Sequence, residues 1–93
     1  MSKIVLEGFI EVSDDDLESV KRELTTHIEL TKNEKGCIVF KVEQDPIYKN
    51  RFNVYEEFVD QAAFDAHQAR VKTSKWGNAT KNLKRNYTTK EVE

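Results

Sequence analysis

The strongest constraint on the fold is an alternation of apolar and polar residues at the start of the chain. Over residues 3–12 the apolar side chains share one parity, with only Gly8 between them: Ile4, Leu6, Ile10 and Val12. This period of two places them on one face of a β-strand. The same alternation returns over residues 37–43, where it includes Ile38, and over residues 51–59. A last strand is expected over residues 83–90.

Two segments between these strands have the spacing of helices. Residues 14–33 carry an apolar stripe at steps of three and four: Leu17, Val20, Leu24 and Ile28. Ser13 is expected to cap free backbone N–H groups of this helix with its hydroxyl, and Gly36 to stop it. Asp60 is expected to cap a second helix from residue 61 to about 71, with a short helical stretch around Trp76.

The resulting order, β-α-β-β-α-β, predicts an α+β fold of the ferredoxin-like kind, with two helices on one face of a four-stranded antiparallel sheet. We expect residues 1–93 to form a single domain. The opposite face of the sheet also carries apolar side chains: Val5, Phe9, Val39, Tyr55 and Val59. A bare sheet leaves these in water. A second copy of the same sheet is the simplest cover, which predicts a homodimer with its sheets face to face.

Composition excludes several classes of protein. The lone Cys37 excludes a fold built on disulfides and favours a reducing cytoplasm. No apolar stretch approaches the ~18 residues of a membrane span, and the first run is broken by Glu7, so neither a membrane protein nor a secretory signal is expected.

Charge is distributed unevenly along the chain. The net charge is −2, yet residues 68–90 hold seven bases and no acid. A nucleic-acid partner is not expected, because such modules are usually basic as a whole. The basic stretch is therefore either a solvated surface or a place where an anionic ligand is attracted.

Three motifs occur in a fixed order. Residues 34–40 read EKGCIVF, residues 51–58 read RFNVYEEF and residues 62–67 read AAFDAH. They resemble the E-x-G-C-x-x-[YF], R-F-x-x-Y-E-x-[WF] and x-A-[LF]-x-x-H motifs of the antibiotic biosynthesis monooxygenase family. The resemblance implies a dimeric α/β-barrel assembly of ferredoxin-like subunits, each with a ligand cavity between sheet and helices. It also implies oxidation of phenols or quinols by O₂ without metal or flavin.

One departure from the family pattern limits the reaction. Where the family often reads S-P-H-F, residues 71–76 read VKTSKW, and no histidine follows His67. Haem-degrading proteins of similar fold need a histidine from that region. Haem degradation is therefore not expected.

His67 and Glu56 are the predicted catalytic residues. His67 matches the histidine of the family motif and shares a helix face with Phe64, and its titration near neutral pH suits it to accept a phenol proton. Glu56 has the parity of the buried face, where a carboxylate needs a partner or a raised pKa. It can act as a base or orient His67. The alternative for both residues is a structural role.

Five further residues are predicted to bind the substrate: Trp76, His27, Phe40, Phe52 and Arg85. Trp76 lies in an irregular segment suited to a lid, and its ring can contact an aromatic ligand. For Phe40 and Phe52 a place in the ordinary core is favoured over substrate contact, and for His27 a boundary position without function is the commoner case. Arg85 is equally explained as a surface residue. Two histidines forty residues apart and one cysteine form no metal-ligand motif, so neither metal nor cofactor is expected.

These observations lead to one hypothesis and two alternatives. The hypothesis is a cofactor-independent monooxygenase of a small phenolic or quinol substrate. One alternative is a dimeric protein that binds a small metabolite without catalysis. The other is an isomerase or cyclase that uses the same pocket without O₂.

Overall fold

Four strands form one antiparallel sheet in the computed structural model of the protein, which describes residues 2–93. The strands are β1 (Lys3–Glu11), β2 (Cys37–Gln44), β3 (Arg51–Phe58) and β4 (Lys84–Val92), in the order β2-β3-β1-β4. The helices are α1 (Leu17–Lys32), α2 (Gln61–Lys72) and α3 (Lys75–Thr80). The ferredoxin-like prediction is confirmed, and the short helix expected around Trp76 is α3.

The core lies between the helices and the inner face of the sheet. The alternation in β1 predicted that face correctly, since Ile4, Leu6, Ile10 and Val12 are all buried. Antiparallel pairing of β1 with β3 sets Ile10 opposite Phe52, which is 1% exposed. The stripe of α1 packs onto this layer, and Val20 is fully buried at its centre.

The beginning of α1 differs from the prediction. Residues Asp14–Asp16 form a single turn of 3₁₀ helix, and α1 begins only at Leu17. The hydroxyl of Ser13 makes no cap to the backbone and donates to Oδ2 of Asp16 at 3.0 Å. The capping prediction for Ser13 was therefore wrong, because the hydroxyl is turned toward the carboxylate of Asp16 and its oxygen accepts no backbone N–H of the helix.

Strand β2 contains a bulge that the alternation did not predict. Cys37 pairs with Phe58 and Val39 pairs with Glu57, so two steps along β2 match one step along β3. The extra residue, Ile38, is 49% exposed, although the parity had placed it on the buried face. A bulge leaves one residue unpaired and reverses the faces on either side of it.

The ends of the helices are fixed by side chains and by one glycine. The predicted cap of α2 is confirmed, since Oδ1 of Asp60 accepts the N–H of Ala63 at 2.8 Å. Helix α1 ends at Lys32 with Asn33 as its C-cap, so Gly36 does not stop the helix but turns the chain into β2. Gly36 has a φ of 95°, and a Cβ there would lie 2.6 Å from the Cβ of Ala63.

The outer face of the sheet is partly covered by its own side chains. Val5 is buried and Phe9 and Tyr55 are half-buried. Val59, which the alternation had placed on this face, follows the end of β3, where its N–H donates to the carbonyl oxygen of Gly36 at 2.8 Å. The guanidinium of Arg51 lies 4.0 Å from the ring centre of Phe9, in a cation–π contact. None of the helices within residues 2–93 is long and apolar enough to cross a membrane.

We predict that Gly36→Ala lowers the free energy of unfolding by about 2 kcal/mol, because alanine is strained at a positive φ and its Cβ collides with Ala63. Urea denaturation of both proteins measures the difference. Lys35→Ala, at the exposed neighbour, is the control and should change the value by less than about 0.5 kcal/mol. Equal effects of the two substitutions would contradict the steric argument.

Candidate functional site

A cavity of about 200 Å³ lies between the inner face of the sheet and the helices. Four of its lining residues were predicted from the sequence in addition to His67: His27, Glu56, Trp76 and Arg85. Leu6 and Val71 add apolar surface, and Gln68, Lys72 and Tyr87 add polar groups. The volume is below the ~300–1,000 Å³ common for drug-sized ligands, so the cavity suits a ligand with one ring.

His67 is held in one orientation by a carboxylate on another element. Its ring is 2% exposed, and Nδ1 lies 2.6 Å from Oε1 of Glu34, in the turn after α1. The other oxygen of Glu34 accepts from Nε of Arg70 at 2.5 Å. With Glu34 as the acceptor, Nδ1 carries the proton of the neutral ring and Nε2 is free to accept one.

Burial lowers the pKa of His67 below its usual value of 6.5. The hydrogen bond and negative charge of Glu34 oppose this shift, while Arg70 adds to it. The imidazole is therefore neutral at neutral pH, the form in which Nε2 can accept a proton.

Glu56 lies on the inner face of β3, as its parity predicted, and is 7% exposed. Its Oε1 lies 3.7 Å from Nε2 of His67, too far for a hydrogen bond, and has no hydrogen-bond partner in the described structure. Burial, and secondarily the charge of Glu34, raise the pKa of Glu56 to about 7. Near neutral pH this group can therefore either give or take a proton.

His27 is buried beside His67 rather than at the boundary of the fold. Its ring stacks on the indole of Trp76, with centroids 4.7 Å apart and planes inclined by 6°. Burial, followed by the charges of His67 and Arg70, lowers its pKa to about 3, so the ring is neutral. Its Nδ1 is buried and finds no hydrogen-bond partner within residues 2–93. His27 thus offers an unused polar atom next to the cavity.

Trp76 is directed inward by a sharp turn between α2 and α3. The hydroxyl of Ser74 caps α3 by accepting the N–H of Gly77 at 2.9 Å. A Cβ on Gly77 would lie 1.9 Å from the carbonyl oxygen of Val71, so only glycine permits this approach. The predicted irregular lid is therefore an ordered helical turn.

Arg85 and Tyr87 reach the cavity from β4. Nη2 of Arg85 donates to the carbonyl oxygen of Thr80 at 2.7 Å, at the end of α3. Tyr87 pairs with Gly8 of β1 and remains 37% exposed. Burial around its phenol nevertheless raises the pKa of Tyr87 to about 12, so this hydroxyl stays protonated.

The two predicted phenylalanines are placed differently. Phe40 contacts both histidines, with ring centroids 5.2 Å from His27 and 5.8 Å from His67, and so supports the site from behind. Phe52 packs in the core. Neither phenylalanine is among the residues that line the cavity, so neither is retained as a substrate contact.

The sequence reasoning gave no role to Glu34 or Arg70. Glu34 is the first residue of the E-x-G-C motif, which was the available signal. Arg70 follows His67 by three positions and therefore shares its helix face. Within residues 2–93, no group of three or more histidine, cysteine, aspartate or glutamate side chains is arranged to hold a metal ion.

Comparison with known proteins agrees with this architecture. The family model described as antibiotic biosynthesis monooxygenase matches residues 3–78. The chain therefore belongs to the antibiotic biosynthesis monooxygenase family. No match is found among curated proteins.

Solved structures show the same fold at low sequence identity. A Bacteroides thetaiotaomicron protein described as a possible oxidoreductase is 19% identical, with a TM-score of 0.80 and 98% of each chain covered. A candidate antibiotic biosynthesis monooxygenase from Deinococcus radiodurans is 19% identical, with a TM-score of 0.79, covering 97% of this chain and 92% of that one. A Pseudomonas aeruginosa protein is 22% identical, with a TM-score of 0.75 and coverages of 99% and 93%.

We predict that Glu56→Gln changes how stability depends on pH. Folded Glu56 keeps its proton up to pH about 7, whereas the unfolded chain releases it near pH 4.5. The free energy of unfolding of the wild type should therefore fall by on the order of 1–3 kcal/mol relative to that of the variant as the pH rises from about 4.5 to about 7. Urea denaturation across the window measures the difference.

The control for this experiment is Glu29→Gln, at an exposed position of α1. The difference in free energy of unfolding between this variant and the wild type should stay constant over the same pH range. A constant difference for Glu56→Gln as well would show that Glu56 titrates normally in the folded protein.

Proposed function

We propose that the protein is a cofactor-independent monooxygenase that oxidises a small phenolic or quinol substrate with O₂. The observation that carries the proposal is that Nε2 of His67 and Oε1 of Glu56 lie 3.7 Å apart, with no hydrogen-bond partner for Oε1 in the described residues. Both atoms lie beside a cavity walled by the ring of Trp76. Membership of the antibiotic biosynthesis monooxygenase family supports the same reading.

The first step of the reaction is removal of a proton from the substrate hydroxyl. Neutral His67 accepts this proton on Nε2, and the imidazolium that forms is stabilised by Glu34 at Nδ1. The buried setting favours a neutral starting state, so positive charge develops only as the substrate ionises. Glu34 is therefore a positioning residue, and His67 is the proposed base.

The electrons for O₂ come from the substrate, because an ionised quinol is electron-rich. One oxygen atom forms a bond to a ring carbon and the other leaves as water. The four electrons that reduce O₂ are those lost when the quinol becomes a hydroxylated quinone, so the reaction balances without another reductant. Protonated Glu56 supplies a proton to the departing oxygen, and ionised Glu56 recovers one from the product side.

The same acid–base pair suits an isomerase or cyclase, which moves protons without O₂. A binding protein without catalysis would need the cavity but neither proton acceptor. Buried carboxylates and histidines with shifted pKa values are costly to a fold and are concentrated at functional sites. This cost favours the two enzymatic functions over binding alone.

We expect purified protein to accelerate oxygen uptake with one or more hydroquinones, measured with an oxygen electrode after subtraction of autoxidation. His67→Asn and Glu56→Gln should each lower the rate by about 10² or more, the usual contribution of a positioned acid or base. Glu29→Gln should leave it unchanged.

Each contrary outcome has a distinct meaning. Turnover that continues without O₂ would favour the isomerase or cyclase. Binding of quinols without turnover would favour the binding protein. Uptake that survives His67→Asn would remove His67 from the mechanism while keeping the monooxygenase.

We also propose that two copies of the chain pack through the outer face of the sheet. The apolar side chains of that face lie on adjacent strands β1, β2 and β3, where Phe9, Val39 and Tyr55 are only half-buried. Glu57 lies between Val5 and Val39 on the same face, where Lys3 at 2.8 Å and the hydroxyl of Tyr55 already donate to its carboxylate, so the contact would cover a paired charge together with the apolar groups.

The dimer predicts that Val39→Asp shifts the protein toward monomers, because the new carboxylate would be buried between the sheets. Light scattering after size-exclusion chromatography gives the mass directly. Leu30→Asp, an equal change at a 48% exposed position on α1, is the control and should leave the mass unaltered. A monomeric wild type would overturn the proposal.

A further inference from the structure

The cavity that holds His67 and Glu56 is also lined by two cations, Lys72 and Arg85. Within residues 2–93 neither of them forms an ion pair with a carboxylate, although several other basic side chains do. Both belong to the stretch of residues 68–90, which has seven bases and no acid. The lining of the cavity therefore includes two positive charges that are not paired with a carboxylate in the described part of the chain.

Arg85 is fixed in place before any ligand arrives. Its Nη2 donates to the carbonyl oxygen of Thr80 at 2.7 Å, and its Nη1 donates to that of Leu83 at 3.3 Å. A guanidinium has five N–H donors, so these bonds orient the group and leave donors for another acceptor. A preorganised guanidinium is well matched to a carboxylate.

Lys72 approaches the same cavity from α2. It follows Gln68 by four positions, so the two side chains lie one above the other on the helix surface. Both line the cavity, and the protonated hydroxyl of Tyr87 lies there too. Lys72 and Arg85 can only donate hydrogen bonds, whereas the amide of Gln68 and the hydroxyl of Tyr87 can donate as well as accept.

The groups that line the cavity differ in kind. His67 and Glu56 can handle a proton, Lys72 and Arg85 carry fixed positive charge, and Trp76 adds an aromatic surface. A volume of about 200 Å³ admits one substituted ring. We infer that the substrate is an aromatic acid: its phenolic hydroxyl faces His67 and a carboxylate on the ring faces Lys72 and Arg85. This inference rests on the proposed function for the orientation of the hydroxyl, but the anion site itself is independent of turnover.

The test compares two ligands that differ only in charge. Isothermal titration calorimetry measures binding of 4-hydroxybenzoate and of its neutral isostere, 4-hydroxybenzamide, to the full chain. The carboxylate should bind about tenfold more tightly, a ratio typical of one charge-assisted contact. Added salt should weaken binding of the carboxylate and leave that of the amide unchanged.

Variants locate the site. Lys72→Gln, at an exposed position whose loss does not threaten folding, should reduce the carboxylate preference about two- to threefold, and Lys72→Arg should keep it. Arg85→Gln should reduce it further, with circular dichroism to confirm that α3 remains folded. Lys81→Gln removes a base of the same stretch outside the cavity and should have no effect.

Three outcomes would overturn the inference. They are equal affinity for carboxylate and amide, no binding of the carboxylate at millimolar concentration, and an effect of Lys81→Gln as large as that of Lys72→Gln. Oxygen uptake with neutral and carboxylated hydroquinones then separates the two proposals. Faster oxygen uptake with neutral quinols would contradict the anion site and leave the monooxygenase proposal intact. Carboxylate binding without oxygen uptake in the presence of any quinol would contradict the monooxygenase proposal and leave the anion site intact.

Discussion

The site depends on the carboxylate of Glu34, which binds His67 and Arg70 at the same time. Glu34 lies in the turn between α1 and β2, whereas its two partners lie one turn apart on α2. Among the described residues, these two contacts are the only ones between a carboxylate of that turn and a basic side chain of α2. It also assigns the proton of His67 to Nδ1 and leaves Nε2 directed toward Glu56. The negative charge of Glu34 further raises the pKa of Glu56, so one residue adjusts both candidate proton carriers.

The interior around Glu34 departs from the rule that a core is apolar. His27, Glu56 and His67 are all nearly inaccessible to solvent, and each loses hydration in its charged form. The same physical cause lowers the pKa of the histidines and raises that of the carboxylate. At neutral pH this produces neutral bases next to an acid that is half protonated. Such an arrangement reduces stability and is useful for moving protons.

Several residues of the site were predictable from the pattern of the chain alone. The parity of β3 places Glu56 on the buried face, and no alternative register is compatible with Phe52 and Phe58 in the core. The predictions failed at two positions where the local structure departs from regular strand or helix geometry. Ile38 left the buried face because a bulge shifts the register of β2. Ser13 turned to the carboxylate of Asp16 instead of the backbone.

The sequence by itself determined the elements, their order and, away from the bulge in β2, the faces of the strands that are buried, because these follow from the local periodicity of the backbone. The tertiary structure alone decided which polar groups meet. The contact of His67 with Glu34 joins residues 33 positions apart, and the stack of His27 on Trp76 requires the tight turn at Gly77. Such contacts depend on how α2 and α3 settle on the sheet. That placement results from packing of the whole core, which no local pattern records.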